Sequence, residues 1–344
     1  MRRWSRRASL LFLLVLVACG GGTPPGPTAF PTPPPTSPAT LQATPATPPA
    51  TPAGASRPAP LPHVFLVVME NHNWADIKGN PSAPYINTTL LPMAAHAERY
   101  YNPPGEHPSE PNYLWLEAGQ DFGISDDNPP ADNHQPSTAH LVSELAAAGI
   151  AWKSYQESIS GTTCPLTARY PYAPKHNPMV FFDDVTDTNN PHSRTCIEHV
   201  RPFGELATDL ADNMVPPYSL ITPNLCDDMH DDCAPTDDGI KQGDAWLSRT
   251  IPMIMRSRAY RDHGTIIITW DEGTGDSDGP IGLLLLSPDG KGGGYSNTIH
   301  YTHSSTLRTI QELPGVGPLL GDAAHATDLR DLYRTFPASA SPAR

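Results

Sequence analysis

Along this chain the apolar residues fall in short unbroken runs separated by longer polar stretches. Four runs stand out: Val64–Met69, Tyr218–Thr222, Thr265–Trp270 and Leu283–Leu286. They are rich in Val, Ile and Leu without alternation, the pattern of strands covered on both faces, as in a parallel sheet. Between them the spacing turns helical. Ser137–Ala148 begins on a serine, carries Leu141, Val142 and Leu145, and stops before Gly149, so a helix is expected there. A second helix is expected to begin near Gln242 and a third to cover Ser305–Leu313. Strands alternating with helices predict an α/β domain on a mostly parallel sheet.

The ends do not share this pattern. Residues 1–18 place Arg2, Arg3, Arg6 and Arg7 ahead of the apolar run Leu10–Val17, the layout of an export signal and too short to span a bilayer stably. The run closes in Leu16-Val17-Ala18-Cys19, which resembles the lipobox of bacterial lipoproteins. Cys19 is therefore expected to carry a lipid anchor, an ordinary cleaved signal being the plainer reading. Residues 19–62 are Pro, Thr, Ala and Ser with hardly an aromatic or charged side chain. Such a segment buries too little apolar surface to offset the entropy of ordering, and its prolines favour an extended stalk. The folded domain is thus expected over residues 63–337, with a short disordered tail at 338–344, on an exported lipoprotein of the cell envelope, at its extracellular or periplasmic face.

The formal charge is −14, and loss of residues 1–18 would strip four positive charges more. A surface this acidic repels nucleic acid and anionic head groups, so bulk charge offers neither as a partner. Membrane contact is expected through the lipid anchor alone, and a monomer is expected. Cys164, Cys196, Cys226 and Cys233 remain beside Cys19. An even count in an exported chain favours disulfides, and proximity along the chain favours Cys164 with Cys196 and Cys226 with Cys233. A zinc site using His230 between the second pair is the alternative, weakened by the absence of a Cys-x-x-Cys spacing.

In open parallel sheets the chemistry gathers beyond the carboxyl ends of the strands. The first strand runs into Glu70-Asn71, the second into Asn224 with Asp227 and Asp228, and the third into Asp271-Glu272. Any one of these clusters could be a helix cap or a turn. Three carboxylate-rich clusters on one edge concentrate negative charge that a divalent cation would balance, with hard oxygen donors suited to it. Ser109, in His107-Pro108-Ser109-Glu110-Pro111, reads as the N-cap of a helix with Pro111 in the first turn. Capping is the ordinary job of such a serine. Helix amides and a nearby cation would also make it a phosphate-receiving nucleophile. Asp276-Ser277-Asp278-Gly279 lacks the rest of a calcium loop, and Gly290–Gly294 matches no phosphate-binding loop.

Val68-Met69-Glu70-Asn71-His72, His107–Tyr113, Lys175-His176-Asn177-Pro178, Thr222-Pro223-Asn224-Leu225, Thr269–Gly273 and Tyr301–Ser305 occur in an order that resembles the bacterial and fungal phosphoesterase family of acid phosphatases and phosphatidylcholine-type phospholipases C. The resemblance covers nearly all of residues 63–337. It implies the three-layer α/β/α sandwich of the alkaline phosphatase superfamily and metal-dependent hydrolysis of phosphate esters through a phosphoserine. Ser109 falls on the nucleophile. Glu70, Asn71, Asp271 and Glu272 fall on metal ligands, although the family often has an aspartate where Glu272 stands. His303 resembles a histidine that contacts phosphate or assists the leaving group, and His176, His230 and His107 fall among substrate contacts, with His107 open to a loop-shaping role. The metal is open among calcium, magnesium, manganese and iron. A small phosphate monoester is the expected substrate, since the domain lacks the long carboxyl-terminal extension of the larger phospholipases. A phospholipase C-type diesterase and a non-catalytic surface binding lipoprotein are the alternatives.

Overall fold

The computed structural model describes residues 61–337; the leader, Cys19, nearly all of the stalk and the tail lie outside them. Ten strands are present among the described residues: β1 Val64–Met69, β2 Ala95–Ala97, β3 Tyr100–Tyr101, β4 Trp152–Gln156, β5 Val200–Pro202, β6 Tyr218–Thr222, β7 Thr265–Trp270, β8 Leu283–Leu286, β9 Ser296–Asn297 and β10 Tyr301–Thr302. Eight form one sheet in the order β5-β4-β6-β1-β7-β8-β2-β9, while β3 and β10 pair separately. Only β8 runs against its neighbours, pairing antiparallel with β7 and β2. The four apolar runs are the central strands β6, β1, β7 and β8, each buried at every position. With helices on both faces, this is an α/β/α sandwich.

Five helices matter most here: α1 Ser109–Ala118, α2 Leu141–Ala147, α3 Glu205–Ala211, α4 Gly239–Met255 and α5 His303–Glu312. α2 is shorter than the expected Ser137–Ala148. His140 is extended, with φ −148°, and its side chain holds it there in place of a first helical turn. α4 starts three residues before Gln242, where Asp238 caps by accepting from the Lys241 amide. α5 starts at His303, ahead of the expected Ser305, because Thr302 and Ser305 form a reciprocal capping box. Ser109 is the first residue of α1, with Pro108 in the capping position, so it is not the N-cap.

The disulfides Cys164–Cys196 and Cys226–Cys233 are both formed, which removes the zinc alternative. No helix among the described residues is long and apolar enough to cross a membrane.

A buried ion cluster ties α1 to α2. His140 Nδ1 lies 3.0 Å from Glu117 Oε1 and Nε2 3.0 Å from Asp184 Oδ1, with the ring stacked on Phe182 at 3.8 Å. Burial opposes the imidazolium, but the two carboxylates outweigh it and lift His140 to about 9. A group raised in the folded state contributes fully below its unfolded value of about 6.5 and loses that contribution as pH rises through the folded one. His140→Ala should therefore cost about 3 kcal/mol in urea unfolding at pH 6, because Glu117 is left buried without its cation. The gap from the native chain should narrow between pH 7 and 9.5; a gap independent of pH would show the histidine to be neutral.

Candidate active site

The register of the central strands assembles the site. Met69 of β1 lies opposite Trp270 of β7, so the next residues, Glu70 and Asp271, leave the sheet side by side. The pairing runs on past both strands: the Asp271 amide donates to Met69 O at 3.0 Å, and the Glu70 amide to Asp228 O at 2.8 Å. Glu70, Asp228 and Asp271 are wholly buried. Burial and mutual repulsion hold Glu70 and Asp228 well above the ordinary carboxylate range, and burial also raises Asp271.

Ser109, at the start of α1, is 1% exposed and donates from Oγ to Glu70 Oε2 at 3.2 Å. Four residues on, Tyr113 donates its hydroxyl to Glu70 Oε1 and stacks on the His176 ring at 5.2 Å. His176 brings Nε2 to 3.2 Å from Glu70 Oε2 and Nδ1 to 3.3 Å from Asp228 Oδ2. Neither approach has hydrogen-bonding geometry, and both His176 Nε2 and Asp228 Oδ2 lack a hydrogen-bond partner. Burial, then Lys175 and His230, hold the His176 pKa far below its usual value. Lys175 is buried against its own charge, but Glu70 and Asp127 outweigh that and raise it. Its Nζ lies 2.9 Å from Asp127 Oδ2 and 3.4 Å from Nε2 of the exposed His230.

Asn71 occupies the left-handed region at φ +42°, a conformation that a non-glycine residue keeps only when its surroundings impose it. Its amide donates to Asp271 Oδ1 at 3.0 Å and its Nδ2 to Glu272 Oε1 at 2.7 Å. Beneath the Asp228 turn, Gly243 of α4 leaves room for Met229; a Cβ there would stand 2.4 Å from Met229 Cγ.

Buried Asn71 Oδ1, Asp228 Oδ2 and Asp271 Oδ2 have no partner, and several carboxylates crowd one crevice. Orphaned oxygens and uncompensated charge together are what a divalent cation relieves, so the residues fit one. Glu70, His176 and His230 also bring ligand atoms within 4.8 Å of one another, adding nitrogen donors to the oxygen set expected from sequence.

A profile of the Phosphoesterase family matches residues 94–317. The chain belongs to that family. It is 32% identical over 271 residues to the phosphatidylinositol-3-phosphatase of Mycobacterium tuberculosis, covering 79% of this chain and 82% of that one. It is 31% identical over 226 residues to an acid phosphatase of Aspergillus fumigatus, covering 61% of this chain and 47% of the relative; the chain thus spans about half the length of that fungal protein. Among solved structures, an alkaline phosphatase superfamily protein of Vibrio parahaemolyticus superposes with TM-score 0.53 at 10% identity, over 76% of this chain and 69% of the other. Human ectonucleotide pyrophosphatase/phosphodiesterase 5 gives 0.52 at 12% identity, over 79% and 100%. At those identities the likeness speaks for the fold alone. The family and its phosphatase members make this chain a hydrolase of phosphoric ester bonds.

The residues expected in this phosphoesterase's site do not all reach it. Ser109, Glu70, Asn71, Asp271, His176 and His230 meet around one crevice. His303 stands behind it: it is 0% exposed, its Nδ1 meets the Tyr100 hydroxyl at 3.1 Å and its Nε2 meets the Asp271 carbonyl. Burial pulls its pKa down to about 4, and both ring nitrogens are engaged by protein groups, Tyr100 and the Asp271 carbonyl. Glu272 has both oxygens engaged, Oε1 by Asn71 and Oε2 by His107 Nδ1 at 2.7 Å and Asn112 Nδ2 at 3.2 Å. Its carboxylate thus braces Asn71. His107, bridging Glu272 to Asp278 Oδ1 at 3.3 Å, shapes that loop and has no ring nitrogen free for substrate. Asn224 caps its own turn, accepting from the Cys226 amide at 3.0 Å, and leaves Asp228 as that cluster's member in the site. Sequence reading did not single out Tyr113 or Lys175. Tyr113 shares a helix face with Ser109 at i+4, and Lys175 adjoins His176 within a quoted motif, so both carried a signal.

Proposed function

We propose that this chain is a metal-dependent phosphomonoesterase that works through a phosphoserine on Ser109. The observation that carries this reading is the Ser109 hydroxyl, 3.2 Å from Glu70 in a crevice of partnerless buried carboxylate and amide oxygens. The residues that would hold the cation are Glu70, Asn71 and Asp271, with Glu70 shared toward His176 and His230. When bound, a divalent ion there neutralises phosphoryl charge and lowers the pKa of a neighbouring hydroxyl.

Ser109 Oγ attacks phosphorus and gives its proton to Glu70, the P–O bond to the alcohol breaks as the Oγ–P bond forms, and that proton passes on to the departing alkoxide to give the free alcohol. Water then cleaves the phosphoserine, releasing phosphate and restoring the hydroxyl. Lys175, held charged, faces the developing negative charge. Tyr113 fixes the second Glu70 oxygen, and His303 fixes the main chain of Asp271. His230, on the open side, is placed to meet the departing alkoxide. The relative named phosphatidylinositol-3-phosphatase puts a phosphorylated lipid head group among the substrates to be tried beside simple monoesters. We assign the chain to the outside of the cell, anchored through Cys19; the two disulfides and the basic-then-apolar leader support this.

The test is hydrolysis of p-nitrophenyl phosphate by the purified chain, before and after chelation and with single divalent ions restored. Turnover lost to chelator and recovered with a cation is expected. Turnover indifferent to thorough chelation would remove the metal from the mechanism.

A further inference from the structure

On the same edge of the sheet as the phosphoryl crevice lies an open cleft of about 1160 Å³, larger than a simple monoester needs. Its walls include Ser158, Leu166, Arg169 and Tyr172. It sits past the carboxyl end of β4, two strands from β1 in the order β4-β6-β1, a lateral offset of about 10 Å. The two spaces share framework. The Leu225 amide donates to Pro171 O at 3.0 Å, and Asn224 Nδ2 donates to Ser158 Oγ at 3.1 Å. Both bonds join the cavity wall to the turn that delivers Asp228 and His230. On the other side, Asn177 Nδ2 donates to the Tyr172 hydroxyl at 3.2 Å, directly after His176.

The wall is also firm. Arg169 and Tyr172 exchange backbone hydrogen bonds of 3.1 and 2.8 Å, and Cys164 on the wall is bridged to Cys196. Arg169 is the one charged residue among those lining the cavity, and it makes no ion pair among the described residues. In a chain of formal charge −14, this exposed guanidinium, without a carboxylate partner among the described residues, is available to an anion. Hydroxyls of Ser158, Ser160, Thr163 and Thr167 share the lining, and these suit a polyhydroxy body.

We propose that this cavity receives the alcohol part of the substrate and selects phosphate monoesters of polyhydroxy alcohols that carry a second anionic group, held by Arg169. This rests on the phosphomonoesterase reading of the Ser109 crevice. A soluble sugar bisphosphate and a phosphorylated phospholipid head group share that chemistry.

The experiment compares kcat/KM for p-nitrophenyl phosphate, fructose 6-phosphate, fructose 1,6-bisphosphate and short-chain phosphatidylinositol 3-phosphate in the native chain and in Arg169→Ala. We expect at least one doubly anionic substrate to exceed fructose 6-phosphate about tenfold in the native chain, and Arg169→Ala to erase that advantage mainly through KM. Turnover of p-nitrophenyl phosphate should stay within about twofold. A preference for the lipid alone assigns the cavity to a head group, and one for the sugar bisphosphate to a soluble ester. No preference, or an equal loss on every substrate, overturns the proposal. Binding is read separately by thermal shift with the same two doubly anionic compounds in Ser109→Ala and in Ser109→Ala with Arg169→Ala. A shift that survives removal of Arg169 also overturns it, whereas a native chain inactive on all four substrates but showing an Arg169-dependent shift sinks the phosphomonoesterase reading and leaves the cavity standing.

Discussion

Ser109→Ala is expected to lower kcat on p-nitrophenyl phosphate by about ten-thousandfold or more, the scale seen when a nucleophile is deleted from a covalent mechanism. The loss belongs to a single atom. Ser109 Oγ donates to Glu70 Oε2 at 3.2 Å, so its removal frees one Glu70 lone pair and opens a space of one hydroxyl. Tyr113 still holds the other Glu70 oxygen, and Asn71 still holds Asp271. Cation affinity, read by calorimetry, should therefore change by less than about tenfold while turnover disappears. Acid quenching of the native enzyme during turnover of labelled substrate should trap phosphate on Ser109, and the variant should trap none. Substantial residual turnover in Ser109→Ala would mean that water attacks phosphorus directly, leaving the serine as a helix-start residue and nothing more.

The strands that position this serine and its acids were the legible part of the sequence. β1, β6, β7 and β8 coincide with the apolar runs because strands buried on both faces favour apolar side chains along most of their length. β4, Trp152–Gln156, escaped notice because it carries Lys153, Ser154 and Gln156, whose polar groups are satisfied by Asp209, Asn177 and Thr222. β2, β5 and β9 have only two or three residues, too few to make a period. The reversal of β8 had no local signature, since an antiparallel strand in the middle of a covered sheet is as apolar as a parallel one.

Within the site, the acids directly after strands were readable because the strand end itself fixes where they point. The histidines were not. His176 and His303 both sit in motif-like runs and both are buried. What separates them is the layer each reaches, and that depends on α5 packing behind Asp271 through Tyr100 and on a short helical turn bringing His176 over Tyr113. Glu272 shows the same limit at finer grain. Its carboxylate meets Asn71, His107 and Asn112, and no sequence pattern gives those partners.

The crowding of acids makes a second large prediction. In chelator, Asp271→Asn is expected to raise the melting temperature, by roughly 4 °C for a gain of about 1–2 kcal/mol, while abolishing activity. Asp271 lies wholly buried beside Glu70, with Oδ2 lacking a partner. An amide there keeps the acceptor for the Asn71 main chain and turns the orphaned oxygen into a donor facing carboxylates. The pH dependence has a definite sign. Glu70, Asp228 and Asp271 are raised above their ordinary values, and Glu272 to about 9, each first by burial. The folded protein then binds more protons than the unfolded one, so cation-free stability falls as pH rises above about 4. The gain from Asp271→Asn should accordingly be larger at pH 8 than at pH 5. Saturating cation should reverse the ranking, since binding at about a hundred times Kd adds about 2.7 kcal/mol to the native chain alone. Destabilisation of the chelated protein by Asp271→Asn at pH 8 would show that the acids do not repel one another, and the electrostatic case for a cation at this crevice would fall with that result.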